Sequence, residues 1–382
     1  MSLAERAAQV LAQPSATERQ HKPRVEFDGV RGFIIEPPRR VDSPAPDHIE
    51  LLRTHGFDPT KVRIVADKSK HSRWQQHPKG PWLQSDRFEI EAIPEHSARL
   101  DELLDEVRGR KPHEPAGIVG TSVFVFQASD LQLGKMDGDG VDGTVAAYLT
   151  SVERAVARFI AWREEHQLGI VHLVFAGDCI EGNVSQNGRN MWRTRLTITE
   201  QTRVFRRLLM TTIEWFAPLA DEIHVSVVNG NHDEAQRFQA TRPDDGWATE
   251  VAVQVDDALR INPKAFGHIT ITVPPIDQGH FTKQIGDTVF TIAHGHQWRR
   301  GKVMDWLAGM ALNLMPAGAT HFVLHGHEHE FGIRSTQVRT AICSPTFDGG
   351  SNWYTEQTGA QSRRGGLVYI TAGHLLVNLT EV

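Results

Sequence analysis

The sequence predicts a layered α/β domain preceded by a smaller module of mixed α and β structure. From Ile118 onward, short runs rich in β-branched and aromatic residues alternate with helical stretches, and this alternation favours stacked layers of sheet and helix. Before that point the chain lacks the alternation and carries proline-rich turns. We therefore expect an N-terminal module at residues 1–115, of unassigned role, and a main domain at residues 116–382.

The elements of the main domain are eight strands and four helices. The strands are TSVFVFQASD, IVHLVFAGD, EIHVSVVNGNHD, HITITV, TVFTIAHGH, THFVLHGHEH, QVRTAIC and LVYIT, and the helices span 144–166, 198–218, 245–260 and 301–314. In the N-terminal module the Lys, Arg and Trp residues between Lys61 and Trp82 suit contact with a nucleic-acid strand or a partner. Ordinary core residues of a small α+β module are the alternative, and we favour it.

Composition excludes several classes of protein. The 382 residues are 40% hydrophobic with a net charge of −6, so a nucleic-acid site would have to be a local basic patch. Two cysteines are too few for a disulfide framework and fit a reducing compartment. No apolar run approaches the roughly 20 residues of a membrane span, and the N-terminus is not typical of a signal peptide. We expect a cytoplasmic protein without membrane contact.

Five of the predicted strands end in residues that bind metal ions or move protons. Ligands of α/β sheets gather at the carboxyl ends of strands, so these five ends are expected to converge. The motifs are Asp130-Leu131-Gln132, Gly177-Asp178, Gly230-Asn231-His232-Asp233, His294-Gly295-His296 and Gly326-His327-Glu328-His329.

In order and chemistry these motifs resemble those of the calcineurin-like metallophosphoesterases, over about residues 118–382. The resemblance implies a four-layer sandwich of two mixed β-sheets flanked by helices, with two divalent metal ions at the strand ends. Asp178 would bridge the ions. The first ion would be held by Asp130, Gln132, Asp178 and His329, and the second by Asp178, Asn231, His294 and His327.

The resemblance also implies roles in catalysis. A metal-activated hydroxide would attack phosphorus, His232 would serve the reaction, and Asp233 would orient His232. Gln132 departs from the family, which usually has His there. A carbonyl oxygen is a weaker and harder donor than imidazole, so we expect manganese, with magnesium, iron and zinc as alternatives.

The substrate is suggested by local basic segments and by a narrower resemblance. The motifs are similar to those of the nuclease subunit of double-strand-break repair complexes and of phage exonucleases. We expect DNA contacts from Arg189, Arg193, Arg195, Trp298 and Arg299. A solvated basic helix face is the alternative for the arginines.

Three functions stay open at this point. The first is a DNA exonuclease or endonuclease, and the second is a phosphatase or small-nucleotide phosphodiesterase of the same fold. The third is a degenerate, non-catalytic binding module in which Gln132 marks lost metal loading. The sequence also leaves a homodimer open.

Overall fold

The chain forms two compact units, Met1–Glu95 and His96–Val382. The computed structural model describes residues 23–29, 31–59, 61–65, 68–75, 80–92, 100–118, 120–183, 194–236, 241–350, 355–356, 359 and 361–382. The boundary expected between residues 115 and 116 lies beyond the helix Leu100–Gly109, whose buried Leu103 and Val107 belong to the core of the second unit. None of the described helices is long and apolar enough to cross a membrane.

The first unit is an antiparallel sheet built around one long strand, β6 (Trp82–Ala92). Alternate side chains of β6 are buried, as period-two patterning requires. The helix α1 (His48–Thr54) begins at Asp47, whose carboxylate accepts hydrogen bonds from two backbone amides of the first turn. The other strands are β1 (Arg24–Phe27), β2 (Arg31–Ile35), β3 (Arg39–Arg40), β4 (Val62–Ile64) and β5 (Lys70–Gln75).

The second unit contains a six-stranded sheet in the order β10-β9-β8-β7-β16-β17. Strands β7 to β10 are parallel, whereas β16 and β17 are antiparallel additions at one side. The central strands are almost continuously apolar because both of their faces are covered. The bounds are β7 (Val123–Ala128), β8 (Ile170–Ala176), β9 (Glu222–Val228), β10 (Ile269–Thr272), β16 (Leu367–Ala372) and β17 (Leu375–Glu381).

A second, five-stranded sheet has the order β11-β12-β13-β15-β14. Strands β12, β13 and β15 are parallel, and the two outer strands are antiparallel to their neighbours. Residues of both sheets, such as Val125, Val174, Phe290 and Leu324, form one shared core, so the sheets pack face to face. The bounds are β11 (His280–Ile285), β12 (Thr288–Ala293), β13 (Phe322–His325), β14 (Gly332–Ser335) and β15 (Thr340–Cys343).

Helices cover the outer side of each sheet. Helices α2 to α5 pack their buried apolar residues against the sheet of the second unit that contains β7 to β10. Val303 and Leu307 of α7 pack on Val323 and Ala341 of the five-stranded sheet. The four helices predicted from the sequence are confirmed, each to within four residues at either end. The bounds are α2 (Leu100–Gly109), α3 (Gly140–Trp162), α4 (Ile198–Phe216), α5 (Trp247–Leu259), α6 (Pro263–Phe266), α7 (Val303–Leu312) and a short 3₁₀ helix (Pro316–Ala319).

Candidate metal centre

The five motifs follow directly on β7, β8, β9, β12 and β13, and hydrogen bonds tie their ends together. The amide of Asp130 donates to the carbonyl oxygen of Gly177 at 3.0 Å, which joins two ends of the first sheet. The amide of Gly326 donates to the carbonyl oxygen of His294 at 2.9 Å in the second sheet. The ring of His294 then bridges the sheets, because its Nδ1 donates to the carbonyl oxygen of Ala176 at 2.8 Å. Strand ends from both sheets therefore meet in one place.

Two groups of side chains at this place could hold metal ions. One consists of Asp178, His294 and His327, and the other of Asp130, Asp178 and His329. Within each group the candidate ligand atoms lie within 4.8 Å of one another. Asp178 belongs to both groups, which is the arrangement expected of a bridging carboxylate.

Asp130 is fully buried, and its two carboxylate oxygens make different kinds of contact. Oδ2 accepts from the hydroxyl of Ser129 at 2.6 Å and from the amide of His327 at 2.9 Å. Oδ1 lies 3.1 Å from Nε2 of His329. One oxygen thus anchors the carboxylate, and the other faces the imidazole of a candidate ligand.

The two carboxylate oxygens of Asp178 also make different kinds of contact. Its Oδ1 accepts from the amide of His232 at 2.8 Å, while Oδ2 lies 3.1 Å from Nε2 of His294. Because Nδ1 of His294 donates to a backbone carbonyl, the neutral form of this ring carries its lone pair on Nε2, next to Asp178. The hydrogen bond therefore sets the tautomer that a metal ligand needs.

Three buried atoms of the predicted ligands have no hydrogen-bond partner within the described part of the chain. They are Oδ1 of Asp130, Oδ1 of Asn231 and Nε2 of His294. Leaving a buried polar atom unsatisfied costs about 1–3 kcal/mol, and a native fold rarely places several together without a reason. All three are donors of electron pairs, so cations satisfy them together. The residues present therefore fit the metal ions that the motifs imply.

The backbone beneath the site is in an uncommon conformation. Of the nine described non-glycine residues with positive φ, five are predicted ligands. Such backbone is costly for residues with a Cβ and clusters at functional sites. The five are Asp130 (φ 52°), Gln132 (43°), Asp178 (49°), His327 (69°) and His329 (54°).

Two motif glycines are needed for close approach. A Cβ on Gly230 would lie 2.0 Å from Oδ1 of Asp178, and one on Gly326 would lie 2.3 Å from Oδ2 of Asp130. Neither distance is compatible with a side chain at the glycine. These glycines therefore let the loops pack directly against the two carboxylates.

The charged groups of the site shift the pKa values of one another. Burial raises the pKa of Asp178, but His294 and His232 outweigh burial and hold this pKa below its usual value. Burial lowers the pKa of His294, but Asp178 and Asp130 raise it to about 9. The carboxylates are therefore ionised in the folded chain and attract positive charge to the strand ends.

His232 lies at the edge of this centre and is held by Glu181. Its Nδ1 is 3.1 Å from the carbonyl oxygen and 3.5 Å from Oε2 of Glu181, while its Nε2 is 4.0 Å from Oδ2 of Asp178. Burial lowers the pKa of His232, but Asp178 and Glu181 together raise it to about 10. The backbone carbonyl and the carboxylate of Glu181 thus orient the ring of His232.

The role expected for Asp233 is therefore corrected. Its carboxylate accepts hydrogen bonds from the backbone amides of Gly230 (2.8 Å), Ile180 (3.1 Å) and Cys179 (3.3 Å). With both oxygens engaged by these amides, Asp233 holds two motif turns together. The residue that orients the ring of His232 is Glu181, through its carbonyl oxygen and its carboxylate.

Gln132 differs from the expected ligand in the direction of its amide. Its Oε1 accepts from Nζ of Lys135 at 3.0 Å, and its Nε2 lies 3.3 Å from Nε2 of His329. Lys135 also donates to Oδ2 of Asp348 at 2.8 Å, and the same oxygen lies 3.5 Å from Nδ1 of His329. The sequence motifs do not reveal Lys135 and Asp348, because neither residue lies inside a ligand motif.

The predicted substrate contacts are placed only in part. Arg189 and Arg193 lie outside the described residues. Nη1 of Arg195 forms an ion pair with Asp142 at 3.0 Å, the ring of Trp298 packs in a cluster with Trp306 and His325, and Arg299 is exposed. Contact of these side chains with DNA stays a prediction.

Comparison with known proteins gives weak similarities of structure. No protein-family model and no curated protein matches the chain. An archaeal phosphodiesterase is 15% identical, with a TM-score of 0.31, and the match covers 68% of this chain and 98% of the other. Vps29 from Entamoeba histolytica, solved as a complex with zinc, is 14% identical with a TM-score of 0.30, and the match covers 64% and 84%.

A hypothetical protein from Pyrococcus horikoshii OT3 is 10% identical with a TM-score of 0.36, and the match covers 68% of this chain and 88% of the other. These TM-scores are too low to decide fold or activity. The function of the chain has to be argued from its own site.

Proposed function

We propose that this chain is a metal-dependent phosphodiester hydrolase that acts on DNA and uses two divalent ions. The observation that carries the proposal is the convergence of five strand ends on two groups of ligands, with unpartnered atoms on Asp130, Asn231 and His294. Two mixed sheets with helices on their outer faces also support the proposal.

Each group would hold one ion, and Asp178 would belong to both groups. Divalent cations supply Lewis acidity toward phosphoryl oxygens and a water of lowered pKa. The donors include several oxygens, which suits manganese or magnesium better than zinc. The first group offers Asp130, Asp178 and His329, and the second offers Asp178, Asn231, His294 and His327.

His232 is the residue that would move a proton. Because its Nδ1 donates to the carbonyl oxygen of Glu181, the ring presents Nε2 toward Asp178 and the metal groups. A protonated Nε2 there stabilises negative charge on the phosphoryl group or donates to the leaving oxygen. Glu181 acts through His232 and keeps this ring in place.

DNA as the substrate is supported by the arginines in residues 189–207 and by the exposed Arg299 close after His294. A second candidate is a small phosphodiester or a phosphomonoester. It is favoured by the engagement of Arg195 with Asp142 and the packing of Trp298 against Trp306. Those contacts leave fewer groups for a polynucleotide backbone.

One panel of substrates separates these activities. Hydrolysis of linear duplex DNA, circular single-stranded DNA, an aryl phosphodiester and an aryl phosphomonoester is measured with manganese, magnesium, zinc or a chelator. We expect manganese-dependent cleavage of DNA, and a loss of about 10²–10⁴-fold in His232→Ala. His374→Ala, a change at an exposed histidine in the turn between β16 and β17, is the matched control.

Three results would contradict the proposal. Equal DNA cleavage by wild type and His232→Ala would show that the activity belongs to a contaminant. Cleavage of the aryl esters without cleavage of DNA would show that the substrate is a small phosphate ester. Full activity in the presence of chelator would show that hydrolysis does not need metal ions.

A further inference from the structure

We propose that Lys135 is a fixed cation built into the first metal group and makes the two groups unequal. In this proposal the second group binds its ion tightly, whereas the first group binds its ion weakly because Lys135 competes for two of the side chains around it. The inference rests on the proposed function, since it concerns the ions that the hydrolase would use.

Lys135 is held in place by two acceptors. Its Nζ donates to Oδ2 of Asp348 at 2.8 Å and to Oε1 of Gln132 at 3.0 Å. Only 16% of its side chain is exposed, and that of Asp348 is almost completely buried. A lysine on the surface moves freely among rotamers, whereas this ammonium group is confined beside His329.

The first consequence concerns the amide of Gln132. With Oε1 turned to Lys135, the amide presents its NH₂ group to His329, at 3.3 Å between the two nitrogens. An NH₂ group has no lone pair for a metal ion. The opposite orientation would place NH₂ against the ammonium of Lys135, two donors facing each other. Lys135 therefore fixes the amide with its ligating oxygen engaged elsewhere.

The second consequence concerns Asp348. A histidine that binds metal is normally oriented by an acceptor on its other nitrogen. Oδ2 of Asp348 lies 3.5 Å from Nδ1 of His329 but only 2.8 Å from Nζ of Lys135. The carboxylate that would hold His329 is thus engaged mainly by the lysine.

The second group shows no such competition among the described residues. His294 is oriented by the carbonyl oxygen of Ala176, and the Oδ1 atom of Asn231 is buried without a partner. An ion there meets a ring that is already oriented by a backbone carbonyl and an amide oxygen that has no partner among the described residues. At the first group an ion has to displace Gln132 from Lys135 and overcome the nearby positive charge.

The experiment is a calorimetric titration of the metal-free chain with Mn²⁺, with bound manganese counted after dialysis. We expect wild type to bind two ions whose affinities differ by about tenfold or more. Lys135→Met removes the charge and keeps the length, and should tighten the weaker ion by about tenfold. Lys135→Arg keeps the charge and should leave the two affinities unequal.

Lys283→Met is the matched control, since Lys283 is also half-buried and donates to a single hydroxyl, that of Thr272 at 3.0 Å. It should bind manganese as wild type does. Gln132→His is a second variant for the case that Lys135→Met does not fold, as judged by circular dichroism. It supplies a ligand that does not depend on the amide orientation and should tighten the weaker ion by about tenfold.

The outcomes separate this inference from the proposed function. Two ions of equal affinity in wild type would overturn the role of Lys135 and leave the hydrolase proposal standing. Failure of the weaker ion to bind more tightly in folded Lys135→Met, or in Gln132→His, would also overturn it. Absence of any manganese binding would overturn both.

Discussion

Two buried aspartates, one in each unit of the chain, show how a structural carboxylate differs from a candidate metal ligand. In the first unit, Oδ1 of Asp86 lies 2.7 Å from Nδ1 of His71 and accepts from Nε2 of Gln84 at 2.5 Å. Its Oδ2 accepts from Nε of Arg39 at 3.0 Å. Both oxygens are paired and a guanidinium balances the charge, so this cluster ties three strands together.

Asp130 in the second unit is also buried and also faces a histidine, but its pairing is incomplete. Its Oδ1 has no hydrogen-bond partner among the described residues, although Nε2 of His329 lies 3.1 Å away, and its φ is 52°. A buried charge whose partners are all present supports the fold, whereas one with an open position indicates a missing ligand. Four predictions test this distinction.

The largest expected effect is on catalysis. Asp130→Asn removes the charge that faces the first metal group and should lower the rate of phosphodiester hydrolysis by about 10³-fold. Asp86→Asn should leave that rate unchanged, because Asp86 has no open position for a ligand. Steady-state rates of both variants at saturating manganese test the difference. Loss of activity in both would mean that the two carboxylates do not differ in the way described.

The next effect is on stabilisation by metal. An ion that binds only the folded chain stabilises it by about 2.7 kcal/mol at a concentration 100 times its Kd. We expect manganese to raise the midpoint of thermal unfolding of wild type and of Asp86→Asn by similar amounts, and that of Asp130→Asn by much less. Chelator should abolish the shift. An equal shift in all three proteins would exclude Asp130 as a ligand.

The strand ends that carry Asp130 and the other candidate ligands could be predicted from the sequence for a physical reason. Each motif directly continues a strand, and neighbouring parallel strands place their carboxyl ends at one edge of the sheet. The chain order of Asp130, Asp178 and Asn231 therefore places them together without knowledge of any side-chain contact. The same holds for His294 and His327 in the second sheet.

Contacts made by side chains after the turns could not be predicted in this way. Asp233 follows His232 in the chain, but its carboxylate turns toward backbone amides, and Glu181 from another turn reaches the ring. Asp348 comes to the site through a loop beyond β15, which no periodicity of the sequence reveals. Adjacency in sequence was a poor guide wherever the backbone leaves a strand and turns.

The third prediction concerns the stability of the first unit. Asp86→Asn leaves Arg39 and His71 without the charge that they face, and should lower the free energy of unfolding by about 2 kcal/mol. Asp42→Asn is the matched control, because Asp42 pairs with Arg40 on the surface, where ion pairs contribute about 0–1 kcal/mol. Urea unfolding measures both. Equal and small losses would show that the Asp86 cluster is not structural.

The fourth prediction compares how the stability of each unit depends on pH. Burial raises the pKa of Asp86, but Gln84, His71 and Arg39 lower it below its usual value. The stability from this carboxylate is therefore present above about pH 3.9 and is lost only as the pH falls further. The first unit should thus keep this contribution in mild acid.

His172 in the second unit behaves in the opposite manner. It is fully buried, its Nε2 lies 2.8 Å from the hydroxyl of Ser226, and its Nδ1 has no partner within the described residues. Burial, with smaller contributions from His224 and Lys283, holds its pKa well below the usual value. The folded chain keeps this ring neutral while the unfolded chain protonates it below about pH 6.5.

Stability should consequently fall by about 1.4 kcal/mol for each pH unit below about 6.5, until the folded pKa of His172 is reached. His172→Gln keeps a hydrogen-bonding group and removes the titration, so its loss of stability between pH 6.5 and 5 should be smaller than that of wild type. Urea unfolding at a series of pH values measures the difference, with the exposed His374→Gln as control. A parallel loss in wild type and His172→Gln would assign the acid sensitivity to other groups of the second unit.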